Sequence, residues 1–597
     1  MSAMRSVHMP RPAWRRRAVC VLGLAGVAAL LYAATPPAAL AAGATTKDPA
    51  AACAALARLT AFPIHPTLIT AARFNPAGVK DATGVPLPAH CQIDGIINQR
   101  IGLDGNPYGD GFEVRLPVPK AWNGRFMFQG GGGWEGSVPP AIGQAGTLTP
   151  TLSHGWAVAS QDGGHETKQL PTAGAFFLDR QAVIDQTYRS IDVTTQTAKY
   201  LIHAYYGAAP RHSYWVGCST GGRQGMVMSQ HFPGYFDGIV AGDPVYDLEA
   251  LLMSEDWVIQ QFEGIAPRPV MMTPAGLPIV YPALPRADQA LFTRALLQAC
   301  DGLDGSIDGV IDDQPGCERR FEPASYVFTD TRQPLQCRAE KTPTCLSRRQ
   351  IAALVAINRG PRDAEGRPIR APAGAVAPDH ADNLMQGYAY DGGFMSQAGI
   401  PSRALGTPTT PPGDFATGLM QIPYLWIQPV NLAANPVAFD FNHDLGKLTR
   451  SNIQVTYSTS LDLSRFRQRG GKIIWYHGAS DPGPPVGGTI AYFRGLAAKN
   501  GGMQRVQDFA RLYLVPNMGH CRGGPATDQF DMLTPLVAWV EQGIAPAAIQ
   551  ASGRHFVSQP AIRTRLLCPY PQQARLSGGA DVDLARASNY RCVAPGN

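Results

Sequence analysis

The sequence is poor in charge. Asp, Glu, Lys and Arg make up 16% of its 597 residues, against 45% hydrophobic residues. That balance excludes a disordered chain and argues for a globular one, large enough for two domains or one domain with a big insertion. A basic face is also missing. The formal charge of +6 comes mostly from residues 1–42, which hold five arginines (Arg5, Arg11, Arg15, Arg16, Arg17) and no acid; the remainder has 46 basic and 45 acidic residues. Nothing there points to nucleic acid. No Cys-x-x-Cys occurs, which argues against a zinc ribbon or a thioredoxin-like site. No internal repeat is visible, and no run beyond residue 42 is apolar enough to span a membrane.

What is present begins with an export signal. Arg15-Arg16-Arg17 is a positive n-region, Ala18 to Ala34 an apolar h-region, and Ala39-Leu40-Ala41 a small-residue cleavage site. Residues 1–42 therefore read as a signal peptide, secretory or twin-arginine, with a retained anchor as the alternative. A secreted or periplasmic protein with no stable membrane association after cleavage is expected. The mature chain keeps ten cysteines (Cys53, Cys91, Cys218, Cys300, Cys317, Cys337, Cys345, Cys521, Cys568, Cys592), an even number that reads as disulfides in an exported protein.

The chemistry centres on Gly217-Cys218-Ser219-Thr220-Gly221, a G-x-S-x-G pattern. His212 to Val216 before it is β-prone, and Thr220 to Phe232 after it reads as a helix. Strand, tight turn and helix make a nucleophile elbow. Its sharp turn needs small flanking residues, and its helix N-terminus aims free N–H groups at a developing oxyanion. The alternative is a glycine-rich turn whose serine merely caps the helix.

Around the elbow the chain reads as α/β. A short helix is expected near Ala51 to Leu59. Strands are expected at Cys91 to Ile97, Phe112 to Pro117 and Arg125 to Gln129. The last runs into Gly130-Gly131-Gly132-Gly133, either a flexible loop or an oxyanion loop. Trp156 to Ser160 is a further strand, ending in Asp162-Gly163-Gly164-His165, residues that suit a structural turn or a catalytic role. Helical spacing from Gln181 to Tyr206 predicts one long helix, and Gly238 to Gly242 a buried strand. Residues 43–244 form the first part of a mostly parallel α/β domain.

Near residue 245 the rhythm stops, and regular signals return at Gly471 to Tyr476. Residues 245–460 read as an inserted lid domain, and 461–597 as the second part of the catalytic domain. Inside the insertion, Asp301, Asp304 and Asp308 are separated by glycines, a pattern that suits a hard cation such as calcium or a solvated acidic turn. Cys300 and Cys317 could close that loop.

A serine nucleophile needs a base and an orienting acid, which in α/β-hydrolases follow in the order Ser, acid, His. Asp481 lies just past the strand that ends at His477, and His520 follows the strand Ala510 to Pro516. Both sit where catalytic groups gather, beyond the carboxyl ends of parallel strands. His477 is the rival base and reads as structural. Cys218 adjoins Ser219 and Cys521 adjoins His520, so a Ser219–His520 pairing would make the two cysteines neighbours able to form a disulfide. The fold expected is an α/β-hydrolase with a large lid.

These residues resemble the tannase and feruloyl esterase family, which includes the mono(2-hydroxyethyl) terephthalate hydrolase. The carriers are Gly217-Cys218-Ser219-Thr220-Gly221-Gly222-Arg223-Gln224-Gly225, Ser480-Asp481-Pro482, Gly519-His520-Cys521 and the loop from Asp301 to Val310. The resemblance implies a Ser219–Asp481–His520 triad and an oxyanion hole from the N–H groups of Gly131 and Thr220. It implies structural Ca2+ on the Asp301, Asp304 and Asp308 side chains and the Ser306 and Val310 carbonyls. It also implies the pairs Cys53–Cys91, Cys218–Cys521, Cys300–Cys317, Cys337–Cys345 and Cys568–Cys592. The expected activity is hydrolysis of small aromatic (feruloyl or galloyl) esters. The alternatives are a terephthalate monoester as substrate, or a non-catalytic calcium-dependent binding protein. Against the terephthalate enzyme, Gly413 to Val430 contains no arginine, and Pro484-Pro485 stand near where that enzyme has a phenylalanine after its acid. Lid aromatics (Tyr388, Tyr390, Phe394, Phe415, Tyr424, Trp426) suit stacking on an acyl group or a lid core. The acyl and alcohol groups and the oligomeric state are not legible.

Overall fold

The computed structural model describes residues 48–81, 84–143, 150–274, 277–369, 387–413, 438–444, 458–556, 562–578 and 582–595. The signal segment, the aromatics Phe415, Tyr424 and Trp426, and most of the stretch from Gly413 to Val430 lie outside the described residues.

Nine strands make the central sheet: β1 (Thr67–Asn75), β2 (His90–Ile101), β3 (Pro107–Pro117), β4 (Arg125–Gln129), β5 (Ala157–Gln161), β6 (His212–Cys218), β7 (Gly238–Gly242), β8 (Lys472–Gly478) and β9 (Ala510–Val515). Their order is β1-β2-β3-β5-β4-β6-β7-β8-β9. Pairing is antiparallel from β1 through β3 to β5, and parallel from β5 to β9. The parallel strands are apolar on both faces because both are covered. Phe126, Phe128, Trp215, Ile239, Ile473 and Trp475 enter one layer. Met127, Tyr214, Val240, Ile474 and Tyr513 enter the other. The alternation follows from the two-residue period of a strand.

Helices α1 (Pro49–Leu56), α2 (Ser190–Tyr206) and α3 (Thr220–His231) contribute to the first layer. The long helix expected from 181 to 206 is interrupted by a π turn at Asp185–Arg189. The Arg223 guanidinium, buried in α3, donates to the Thr187 and Gln186 carbonyls at 2.9 and 3.3 Å. Acceptors in that turn are thus satisfied from outside their own helix. Strand β1 was not expected. It is the sheet's edge, half exposed, and a bulge between Ile69 and Ala71 breaks its alternation.

Between Gly242 and Lys472 no described residue joins the sheet. Helices α4 (Leu248–Ile265), α5 (Arg286–Cys300) and α6 (Arg348–Arg359) contribute to a separate apolar core with Phe262, Phe292, Phe321 and Leu354 at its centre. Tyr388, Tyr390 and Phe394 are buried in that core, with Tyr390 edge-on to Phe394. Packing, not acyl stacking, accounts for these three.

After β8 the chain returns to the sheet, with α7 (Val486–Lys499) in the first layer and α8 (Leu533–Gln542) in the second. A small antiparallel sheet of Gln529–Phe530, Ile549–Gly553 and Arg563–Leu567 follows, which the sequence reading did not separate. All five expected disulfides are present: Cys53–Cys91, Cys218–Cys521, Cys300–Cys317, Cys337–Cys345 and Cys568–Cys592. Among the described residues no helix is long and apolar enough to cross a membrane.

Candidate active site

The elbow forms where β6 meets α3. Ser219 has φ 63° and ψ −122°, a conformation rarely open to a side chain, and it makes no side-chain cap to the helix. That removes the reading of Ser219 as a simple N-cap. The turn closes tightly: a Cβ on Gly217 would lie 2.7 Å from the Gly221 carbonyl, and one on Gly221 would lie 2.8 Å from the Gly131 carbonyl oxygen. Only glycine fits at either position. Ser219 N–H donates to the Gly242 carbonyl at 2.9 Å, which ties the elbow to the end of β7. Of the seven described non-glycine residues with positive φ, five (Glu135, Ser219, Asp243, Asn517, Cys521) lie in the loops around this turn. Strained backbone gathers where a fold holds functional groups in place.

Asp481 and His520 come together although 39 residues apart: His520 Nδ1 lies 2.7 Å from Asp481 Oδ2. Asp481 is fully buried, while His520 is partly exposed. Burial alone would push the Asp481 carboxyl up; the charge and hydrogen bond of His520 outweigh it and hold the group below the usual carboxylate range. An ionised carboxylate only accepts, so Nδ1 carries the proton and Nε2 is left as the basic nitrogen. The Cys218–Cys521 bond joins the residue before Ser219 to the residue after His520, with Cα atoms 6.0 Å apart. His477 is not available as a base. It is fully buried, with Nε2 2.9 Å from the Pro484 carbonyl and Nδ1 2.7 Å from the Thr489 hydroxyl.

The glycine run after β4 lies against the elbow. Gly221 N–H donates to the Gly131 carbonyl at 3.0 Å, and the Thr220 hydroxyl to the Gly133 carbonyl at 2.6 Å. Gly131 N–H is engaged by Gln224 Oε1 at 3.3 Å, a long bond. Gln224 in turn donates to Glu135, which also accepts from Gln161 at 2.7 Å. Burial pushes the Glu135 carboxyl up to about 7, against those hydrogen bonds and the Arg223 charge.

Besides Glu135, sequence reasoning missed two carboxyl groups at the site. Asp391, in the insertion, is fully buried, accepts from the Ser480 hydroxyl and accepts from Asn517 N–H at 2.8 Å. It thereby clasps the acid turn and the histidine loop together. Burial raises its carboxyl to about 6. Asp243, also fully buried, accepts from Gly478 N–H at 2.7 Å. It stands directly after β7, as Asp481 stands just after β8, and that station was its one signal in the sequence.

The acidic loop is buried, so the solvated turn is excluded. Asp301, Asp304 and Asp308 are all less than 8% exposed. Burial pushes Asp301 and Asp304 up to about 6, and Asp312 well above the usual range through burial and the Asp304 charge. Asp312 Oδ2 is buried with no hydrogen-bond partner. A set of oxygen donors with excess buried negative charge fits a hard cation such as calcium. Part of that charge is already met by the ion pair between Asp308 and Arg565. The loop also reaches the segment that carries the histidine: Asn517 Nδ2 donates to the Gly309 carbonyl at 2.6 Å.

Comparison with known proteins agrees with this arrangement. The sequence model of the family described as "Tannase and feruloyl esterase" matches residues 108–593. The chain is 39% identical over 558 residues to a mono(2-hydroxyethyl) terephthalate hydrolase of Piscinibacter sakaiensis, covering 89% of this chain and 90% of that protein. It is 29% identical over 496 residues to a probable feruloyl esterase of Arthroderma benhamiae, covering 80% and 82%. Among solved structures, feruloyl esterase B from Aspergillus oryzae superposes with TM-score 0.66 at 21% identity, covering 88% of this chain and 97% of that one. A tannin acyl hydrolase from Aspergillus niger does so with TM-score 0.61 at 19% identity, covering 90% and 93%. These two share the α/β-hydrolase fold. The chain belongs to the tannase and feruloyl esterase family and is a carboxylic ester hydrolase acting on small-molecule esters.

Proposed function

We propose that the protein is an exported serine esterase for esters of aromatic carboxylic acids, such as feruloyl or galloyl esters. The observation that supports this reading is the Cys218–Cys521 bond, which joins the residue before Ser219 to the residue after His520, a histidine paired with Asp481. Ser219 attacks the ester carbonyl while His520 Nε2 takes its proton. Asp481 keeps the proton on Nδ1 and stabilises the imidazolium. The N–H groups of Gly131 and Thr220 face the oxyanion, with Gly131 turning from its long bond to Gln224. His520 then protonates the leaving alcohol, and water, activated by the same histidine, releases the acid from the acyl-enzyme.

The insertion acts as the lid. Asp301, Asp304 and Asp308 side chains with the Ser306 and Val310 carbonyls would hold calcium, whose charge would offset the carboxylates buried in that loop. Five disulfides and the N-terminal n- and h-regions support export to an oxidising compartment. The intact acid–histidine pair gives no support to a non-catalytic binding protein.

A terephthalate monoester is the second reading, favoured by the 39% identical relative that bears that name. The deciding experiment is hydrolysis of methyl ferulate, methyl gallate, chlorogenate and mono(2-hydroxyethyl) terephthalate, with Ser219→Ala as control. Turnover of a phenolic ester ahead of the terephthalate monoester supports the first reading. Preference for the terephthalate monoester replaces it with the second.

A further inference from the structure

Asp481 is not the only carboxyl group in its cavity. The side chain of Asp243, fully buried at the end of β7, faces it: carboxylate oxygens of Asp243 and Asp481 and a ring nitrogen of His477 all lie within 4.8 Å of one another. Gly478 N–H donates to Asp243 Oδ1 at 2.7 Å, and Cys521, through its bond to Cys218, lies beside the same carboxyl. Asp243 Oδ2 lies 3.3 Å from Cys218 Sγ, a disulfide sulfur with no proton to give. Asp243 thus touches the acid turn, the histidine loop and the elbow disulfide at once. It does so from φ 37°, a region where a non-glycine residue is held only by its surroundings.

Among the described residues no fixed cation is paired with either carboxyl group: the guanidinium of Arg403, beside Gly483, is paired with Glu255 at 2.9 Å. His477 Nε2 is 3.7 Å from Asp243 Oδ1 and 3.6 Å from Asp481 Oδ2. The Pro484 carbonyl beside Nε2 can only accept, so Nε2 carries a proton. Nδ1 faces the Thr489 hydroxyl, which can donate, so the ring is satisfied as a neutral imidazole. Burial also holds its pKa down to about 4. The other titratable groups facing Asp243 are Tyr246 and Tyr476, phenols that burial keeps neutral, and beyond Asp481 the imidazole of His520. Two carboxyl groups this close in a buried site cannot both be ionised. Asp481 already accepts from His520 Nδ1 on one oxygen and from Gly483 N–H, at 2.8 Å, on the other.

We infer that Asp243 holds the proton: it is a neutral carboxylic acid that donates to Asp481 and so positions Asp481, as the anion, against His520. Asp243 touches neither substrate nor reacting atoms and is a positioning residue. Burial and the Asp481 charge push its carboxyl well above the usual range, in agreement. The inference rests on the Ser219–His520–Asp481 reading above.

Asp243→Asn presents an uncharged N–H donor in place of the O–H, and Asp243→Ala presents none. Both are assayed for kcat, KM and the pH profile on an ester the wild type turns over, with Ser219→Ala as the blank. Asp243→Ala is expected to lower kcat about 10- to 100-fold with KM within about twofold. The acid limb of its kcat/KM profile should move to higher pH, because Asp481 without its donor takes up a proton more readily. Asp243→Asn is expected to restore kcat to within about threefold and return the limb. Wild-type behaviour of the alanine variant would make Asp243 structural only. An asparagine variant with native melting and a large loss of kcat would mean that a charge is needed there; either result overturns the inference. If the alanine protein does not accumulate, the asparagine variant alone decides. Turnover by Ser219→Ala would instead overturn the triad, whatever Asp243 does.

Discussion

The elbow and the acidic loop hold their shape by different means. At the elbow, backbone meets backbone: Ser219 N–H reaches Gly242, Gly221 N–H reaches Gly131, and glycines leave no room for a Cβ. No ion pair is involved. At the acidic loop, buried carboxyl groups face one another and two arginines of a distant strand, Arg563 and Arg565. The first region should be indifferent to salt and chelators, and the second should not. The two are nevertheless tied, since Asp391 clasps Ser480 and Asn517 while Asn517 also holds Gly309. An ion in the loop would therefore be felt at the histidine without touching the chemistry.

Several substitutions would break or sharpen that contrast. The largest effect belongs to Ser219→Ala, which should lower kcat by at least about 10^4-fold with unchanged melting; a surviving rate on every turned-over ester would end the nucleophile reading. Replacing Cys218 and Cys521 together by serine removes a link across 303 residues. It should cost about 3–5 kcal/mol in a denaturant titration, together with most of kcat. Asp391→Ala leaves the Ser480 hydroxyl and Asn517 N–H without their acceptor. A loss of about 2–3 kcal/mol and of about tenfold in kcat is expected; unchanged kcat would show that the clasp does not reach the histidine.

Chelation should lower the melting temperature by about 5 °C, reversed by added calcium, in wild type and Ser219→Ala alike but not in Asp304→Ala. A melting curve blind to both chelator and calcium would rule out the ion. The smallest effect concerns Glu135. Its folded pKa, about 7, is raised above that of a free glutamate. Its contribution to stability is therefore full below about pH 4.5 and lost as pH rises through about 7. Glu135→Gln should gain on wild type by about 1 kcal/mol between pH 5 and pH 8, read from urea midpoints; a constant difference would show that the Glu135 carboxyl titrates as an ordinary glutamate.

The residues whose neighbours in the chain announce them were legible. Ser219 sits in a strand–turn–helix pattern, and Asp481 and His520 each follow an apolar strand. The acidic loop repeats carboxylates and glycines within ten residues. Asp391, Glu135 and Gln224 carry no such signal. Asp391 meets Ser480 across 89 positions, Gln224 meets Glu135 across 89, and Asp243 meets Gly478 across 235. A single carboxylate in a loop looks the same whether water or a buried hydroxyl is its partner. The edge strand β1 escaped because a bulge breaks its alternation, and the strand Arg563–Leu567 because its inward positions include the buried Arg563 and Arg565 rather than apolar residues.

The strand–turn–helix elbow at Ser219, the alternation of strands and helices, and the places of Asp481 and His520 beyond strand ends were set locally, because each depends on backbone preference and apolar spacing over a few residues. Only the tertiary structure decided which aromatics are core, where Gly131 N–H is directed and which carboxyl groups lie without compensation. Burial and proximity between distant segments set those outcomes, and they exist only once the sheet has brought the ends of β6, β7, β8 and β9 together.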